Sequence, residues 1–162
     1  MPTLYLLRHA KAQKAVKHAW DPADDKARPL TASGIADAAA VGRWFRAHSL
    51  IPGVALVSPA TRAIATWQLA ASELGASLPI RVEADLYGAT VTDLLRLIQA
   101  LPAEFTSAIV VGHDPSLSDL LGVDLATCGL ARLELTEWSE LTPEPVGVKI
   151  RRVRAGTAGP DK

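Results

Sequence analysis

Leu4-Tyr5-Leu6-Leu7-Arg8-His9-Ala10 runs from four apolar or aromatic residues straight into an arginine and a histidine. An unbroken apolar run of this kind is what a strand buried on both faces requires, as in a parallel sheet covered by helices. Such a strand would deliver a cation and an imidazole together at its carboxyl end, the edge at which open α/β sheets bind ligands. Whether that pattern recurs along the chain decides the fold.

It recurs. Val54-Ala55-Leu56-Val57 is a second short buried strand, and Ala108-Ile109-Val110-Val111 is the clearest of all. Each runs into a loop and then a helical pattern. Ser58-Pro59 reads as a cap followed by proline at the first helical position, with Ala60, Ile64, Trp67, Ala71 and Leu74 on the core face and Gly75 as the stop. Gly112-His113-Asp114-Pro115 opens another helix, capped by Asp114, with Leu117, Leu120 and Leu121 as its apolar face. Between these lie a helix capped by Thr31, with Ile35, Ala38, Ala39, Gly42 and Phe45 inward, and one opened by the capping box Thr90-Val91-Thr92-Asp93. Residues 80–84 read as a further strand. Toward the end, Ala131, Leu133 and Leu135 alternate with Arg132 and Glu134, and Val148 and Ile150 alternate with Lys149 and Arg151, which predicts two half-buried strands. Strands alternating with helices predict an α/β fold: a three-layer α/β/α sandwich, its central sheet mainly parallel, with helices on both faces.

Residues 10–30 break the pattern. Lys11, Lys14, Lys17, His18, Asp21, Asp24, Asp25, Lys26 and Arg28 crowd a segment that also holds Pro22 and Pro29. This predicts a long functional loop with at most one helical turn. The expected layout is one domain over residues 1–154 and a frayed tail at 155–162.

The bulk composition narrows the function. The chain has 162 residues, 49% of them hydrophobic, enough for a sizeable core. Lys+Arg and Asp+Glu are equal at 17 each, so there is no general electrostatic case for nucleic acid or an anionic membrane as partner. Cys128 is the single cysteine, so no internal disulfide can form, in keeping with a cytoplasmic setting. Arg8 and His9 interrupt the only apolar run near the start, which lacks the order of a signal peptide. Cys128, Trp44 and Trp67 read as core, and His48 as a favourable charge near a helix end.

Three strand ends carry the chemistry. They deliver Arg8 and His9, then Arg62 on the first turn of a helix, then His113. If the strands are parallel neighbours, two guanidiniums and two imidazoles surround one point, and an anion must balance them. Two planar cations suit a tetrahedral oxyanion such as phosphate or sulfate. The helix starting near Pro115 would add its N-terminal amides.

These three elements resemble those of the histidine phosphatase superfamily, which includes the phosphoglycerate mutases. Leu7-Arg8-His9-Ala10 is similar to its Arg-His-Gly signature, the stretch from Ser58 to Thr66 to its second element, and Val111-Gly112-His113 to its second histidine. Arg28-Pro29-Leu30-Thr31-Ala32-Ser33-Gly34, after an acidic loop, resembles the phosphohistidine phosphatase (SixA) branch. The resemblance implies a phosphoglycerate mutase-like fold and a phosphatase with His9 as the nucleophile. It implies that Arg8, Arg62 and His113 hold the phosphoryl oxygens, with no metal and no cofactor. The superfamily's usual glutamate falls at Ala84, flanked by Glu83 and Asp85, which on a strand would face away. The SixA branch instead places an aspartate three residues before the Arg-Pro-Leu arginine, which is Asp25, as general acid and then base. Asp21 and Asp24 are its neighbouring alternatives. Arg28 either contacts substrate or pairs with Asp25. The implied partner is a phosphorylated substrate, such as a phosphohistidine-bearing protein. A small phosphate ester and a phospho-binding role without catalysis are the alternatives. Ala10 in place of glycine, Lys11-Ala12 in place of acidic and hydroxyl residues, and a short segment after His113 depart from the pattern.

Overall fold

The computed structural model describes residues 1–15 and 22–155. In chain order these form β1 (Thr3–Arg8), α1 (Pro22–Lys26), α2 (Ala32–Ala47), β2 (Ala55–Val57), α3 (Thr61–Leu74), β3 (Ile80–Val82), α4 (Val91–Gln99), β4 (Ser107–Gly112), α5 (Ser116–Leu121), β5 (Gly129–Glu134) and β6 (Lys149–Arg152). The strands make one sheet in the order β3-β2-β4-β1-β5-β6. The ladders from β3 through β1 are parallel, and β5 and β6 extend the sheet with antiparallel ladders. The expected three-layer sandwich with a mainly parallel sheet is what forms.

Alternation along the buried strands supplies two cores. Tyr5, Leu7, Ile109 and Val111 pack on one face against Trp44 and Phe45 of α2 and Trp67 of α3. Leu4, Leu6, Ala108 and Val110 pack on the other against Leu94 and Ile98 of α4 and Leu117 and Leu120 of α5. Full burial of each such aliphatic or aromatic side chain is worth roughly 1.5–3 kcal/mol. That is why the first polar side chains of β1 appear only where the strand leaves the core.

The predicted caps of α2 and α4 are present. Thr31 Oγ1 accepts from the Gly34 amide at 3.0 Å, and Thr90 and Asp93 close a capping box. Gly75 ends α3 at φ 72°, a left-handed conformation that glycine enters at no steric cost.

Several expectations need correction. Ile35, expected in the core, is 48% exposed. The rotation of α2 is fixed by two close backbone approaches: a Cβ at Gly34 would stand 2.2 Å from the Lys11 carbonyl oxygen, and one at Gly42 would stand 2.0 Å from that of Ala70. These turn Gly34 and Gly42 inward, and Ile35, next to Gly34, outward. Helix α3 starts at Thr61 with Ala60 as its cap residue, so Ser58 is free for another partner. The strand expected over 80–84 stops at Val82, and Ala84–Leu86 form a 3-10 turn. Strand β6 is a mostly exposed edge, with Ile150 44% exposed. Ala155, expected at the start of a frayed tail, is tied to the body by its amide, which donates to Asp37 at 2.8 Å, next to Arg154, whose Nη1 donates to the Thr127 carbonyl at 2.9 Å. Lys17, His18, Trp20, Asp21 and residues 156–162 lie outside the described residues. Among those that are described, no helix is long and apolar enough to cross a membrane.

Candidate active site

The sheet order places β4 between β1 and β2, so the carboxyl ends that carry Arg8, Val57 and Gly112 are adjacent. The chain leaving those ends walls a cleft of about 280 Å³, lined by Arg8, His9, Lys11, Ala12, Arg28, Arg62, His113, Asp114 and Thr127. Every strand-end residue expected at one point is there, and Arg28 joins them. Roomier hollows beside Trp138 (about 400 Å³) and Gly75 (about 480 Å³) have no arginine or histidine in their walls.

His9 is buried, 8% exposed, and its Nδ1 is 2.7 Å from the Ala10 carbonyl oxygen. A carbonyl only accepts, so Nδ1 carries the proton and donates it, which leaves the Nε2 lone pair free. Burial drives the His9 pKa down to about 4, with Arg62, Arg8 and Arg28 adding repulsion against a second proton. At neutral pH this imidazole is uncharged, with the Nε2 lone pair available. Its backbone is held too: the His9 amide donates to the Gly112 carbonyl at 3.0 Å and the Ala10 amide to Thr66 Oγ1 at 3.0 Å. Thr66 Oγ1 in turn donates to the Arg62 carbonyl at 2.6 Å. One hydroxyl therefore couples the first turns of α3 to the loop behind β1.

His113 lies across from His9, with ring centroids 5.1 Å apart and planes inclined by 55°. Its Nε2 is 2.7 Å from Ser58 Oγ, the hydroxyl freed by the later start of α3. Its Nδ1 is buried and has no partner among the described residues. Burial first, and then repulsion from His9 and Arg62, lower its pKa to about 3. Among the described residues Arg8 Nε and Arg62 Nε are likewise buried without a partner, as are the indole nitrogens of Trp44 and Trp67 in the core. Orphaned buried polar atoms are rare and call for an explanation. The three on Arg8, Arg62 and His113 belong to residues lining one cleft, where an anion would meet them.

The charge is not left wholly unbalanced, contrary to expectation. Arg62 Nη1 donates to the Asp25 carbonyl at 2.7 Å, and its Nη2 is 3.3 Å from Asp25 Oδ2. Arg28 Nε donates to Asp25 Oδ1 at 3.0 Å, and its Nη1 to the Gln13 carbonyl at 2.9 Å. Of the two roles foreseen for Arg28, the pairing with Asp25 is present, and the residue also lines the cleft. Arg8 Nη1 lies 3.3 Å from Asp114 Oδ2 and donates to the Leu125 carbonyl at 3.0 Å. The cap residue of α5 is Pro115, without a side-chain cap bond, and not Asp114 as expected; Asp114, one residue earlier, accepts from the Ser118 amide and hydroxyl and so occupies an amide expected for the anion. Helix α5 spans only Ser116–Leu121, too short for the dipole contribution foreseen.

Asp25 sits at the flank of the cleft, behind Arg28 and Arg62. Burial raises its carboxyl pKa, but a short hydrogen bond from the Tyr87 hydroxyl together with Arg62 and Arg28 outweighs burial and holds it below the ordinary carboxylate value. Asp24 is exposed, and Asp21 is outside the described residues. Glu83 and Asp85 do not line the cleft, and the 3-10 turn removes the strand geometry on which their facing was judged. Sequence reasoning missed Ser58, Thr66 and Tyr87 as parts of the site. Thr66 lies one helical turn after Arg62 and carried that signal. Tyr87 carried none, because its partner Asp25 is distant in sequence.

The fold and the cleft define a phosphatase of the α/β class. The sequence profile of the histidine phosphatase superfamily (branch 1) matches residues 4–94, and the chain belongs to that superfamily. An uncharacterized protein of Mycobacterium tuberculosis is 32% identical over 147 residues, covering 91% of this chain and 87% of that one. Among solved structures, a chain assigned as the phosphohistidine phosphatase SixA of Nakamurella multipartitia is similar with 30% identity and a TM-score of 0.73, over 94% of this chain and 95% of that one. One assigned as SixA of Agrobacterium tumefaciens matches with 29% identity and a TM-score of 0.72, over 83% and 92%.

Proposed function

We propose that this phosphatase works through a covalent intermediate on His9, and that its substrate is phosphohistidine carried on a protein. The observation that carries the first part is the hydrogen bond from His9 Nδ1 to the Ala10 carbonyl, which leaves Nε2 neutral and available in an arginine-lined cleft. Nε2 attacks phosphorus, the bond from phosphorus to the leaving atom breaks, and the leaving group keeps the electron pair. Arg8, Arg62 and His113 hold the non-bridging oxygens, and Arg28 adds a further cation at the rim. Donors of this kind act where charge develops in the in-line transition state. Water then attacks the phosphoryl group, the P–Nε2 bond returns its electrons to the imidazole, and a water proton passes to Asp25.

Asp25 supports the second part. Ionised at neutral pH, it is charged for the base step and poorly supplied for the acid step. A substrate alkoxide needs a proton to leave. A phosphohistidine already protonated on its distal nitrogen leaves as neutral imidazole and needs none. General acid catalysis is worth about 10²–10⁴-fold, so a site short of it disfavours alkyl esters by that order. The likeness to chains assigned as SixA supports the same substrate class, and the single unpaired cysteine, Cys128, fits a cytoplasmic setting.

The test is a substrate panel of a phosphohistidine protein, a phosphohistidine peptide and an alkyl phosphate monoester, with His9→Ala as the blank. A kcat/KM preference for phosphohistidine of about 10²-fold or more supports the assignment. Equal or greater activity on the alkyl ester overturns it.

A further inference from the structure

Asp25 is held by Arg28, Arg62 and Tyr87. The two arginines line the cleft and are committed to the phosphoryl group once it arrives; Tyr87 is not among the lining residues. Tyr87 stands just before Gly88, whose φ of 66° turns the chain into the helix that follows. Its hydroxyl donates to Asp25 Oδ2, and its ring meets that of His113 edge-on, with centroids 5.8 Å apart and planes at 90°. The Lys26 ammonium lies over the ring, 5.4 Å from its centroid. One side chain thus spans from Asp25 on α1 to the histidine that follows β4.

We propose that Tyr87 is a positioning residue for the water step: its hydroxyl holds the Asp25 carboxylate in place at the flank of the cleft once Arg28 and Arg62 engage the phosphate. In that step a water oxygen bonds to phosphorus and the P–Nε2 bond breaks. The electron pair returns to Nε2 of His9, and one water proton moves to Asp25. Nothing in this requires Tyr87 to give up its own proton. Burial, the Asp25 hydrogen bond and the Asp25 charge all raise its pKa and keep the phenol protonated as a donor. The charged and titratable groups facing Asp25 are Arg62 on α3, Arg28 on its own loop, Tyr87, and His113 across the cleft, with Lys26 on the far face of the Tyr87 ring.

The inference rests on the proposed His9 intermediate, and the experiment separates the two. Tyr87→Phe keeps the ring against His113 and removes only the hydroxyl. Wild type, Tyr87→Phe, Asp25→Asn and the double variant are mixed with an excess of labelled phosphoramidate, and acid-stable fold markers, kcat, KM and the fraction of enzyme carrying labelled phosphohistidine are measured. If Tyr87 acts through Asp25, Tyr87→Phe lowers kcat about tenfold with KM unchanged or lower, and the phosphorylated fraction rises, because only breakdown of the intermediate is slowed. The double variant is then no slower than Asp25→Asn alone. Tyr87→Leu, which loses ring and hydroxyl together, must show the same rise in phosphorylated fraction if it folds. A phosphorylated fraction unchanged or lowered in Tyr87→Phe, or effects of Tyr87→Phe and Asp25→Asn that multiply, overturns the positioning role. Absence of label from the wild-type enzyme at every time overturns the His9 intermediate instead.

Discussion

The Nδ1 nitrogen of His9 lies 2.7 Å from the carbonyl oxygen of Ala10, the next residue in the chain. This contact sets the tautomer and aims the imidazole. It depends on Ala10 staying in place, and the Ala10 amide donates to one side-chain hydroxyl, that of Thr66.

Replacing Thr66 by valine keeps the shape of the side chain and deletes the acceptor. The buried Ala10 amide is then unsatisfied, which costs about 1–3 kcal/mol. Chemical denaturation of Thr66→Val should show that loss. Turnover measured where the variant is fully folded should also fall, because the carbonyl that orients His9 is no longer fixed. Full activity in a destabilised Thr66→Val would separate Ala10 from the orientation of His9.

Arg62 presents a planar fork whose Nη atoms reach Asp25 and whose Nε is buried without a partner among the described residues. Lysine keeps the charge but cannot bridge two oxygens at once. Arg62→Lys should therefore lose about 10²–10³-fold in kcat/KM, the usual cost of one transition-state donor, with a smaller change in phosphate binding. Steady-state kinetics alongside competitive inhibition by inorganic phosphate check this. A loss below tenfold would mean that charge alone suffices there.

The two histidines make stability depend on pH in a stated direction. In the folded protein the pKa values are about 4 for His9 and about 3 for His113, both depressed chiefly by burial. In the unfolded chain each returns to about 6.5. As pH falls through that value, the unfolded chain binds protons that the folded one refuses, so stability falls with acidification down to the folded values. The slope is at most about 1.4 kcal/mol per pH unit for each histidine. Urea unfolding at about pH 7.5 and about pH 5 should show it, and His113→Asn should flatten it. A wild-type slope already flat over that range would contradict the lowered pKa of both histidines in the folded state.

The parts of the fold that depend on short-range pattern were legible in the sequence. β1 and β4 announce themselves by continuous apolar runs, and Thr31, Thr90 and Gly75 mark helix ends by local chemistry. The convergence of Arg8, His9, Arg62 and His113 was legible because parallel strands put their carboxyl ends side by side. What escaped was set by packing across the chain. Ile35 has helical spacing for burial, but Gly34 and Gly42 fix the helix rotation through the backbones of Lys11 and Ala70. Ser58 looked like a cap and is instead the partner of His113. The pairing of Arg62 with Asp25, and of Arg8 with Asp114, supplies counter-charges that spacing alone does not reveal.

The central claim is that His9 is the nucleophile and that it attacks through Nε2. The direct measurement is rapid acid-free quenching of the enzyme with labelled phosphohistidine substrate, followed by mapping of the labelled residue and its regioisomer by mass spectrometry and phosphorus NMR. Label on His9 at Nε2, absent from His9→Ala, is the predicted result. Label on His9 at Nδ1, label on His113, or undiminished turnover in His9→Ala would contradict it.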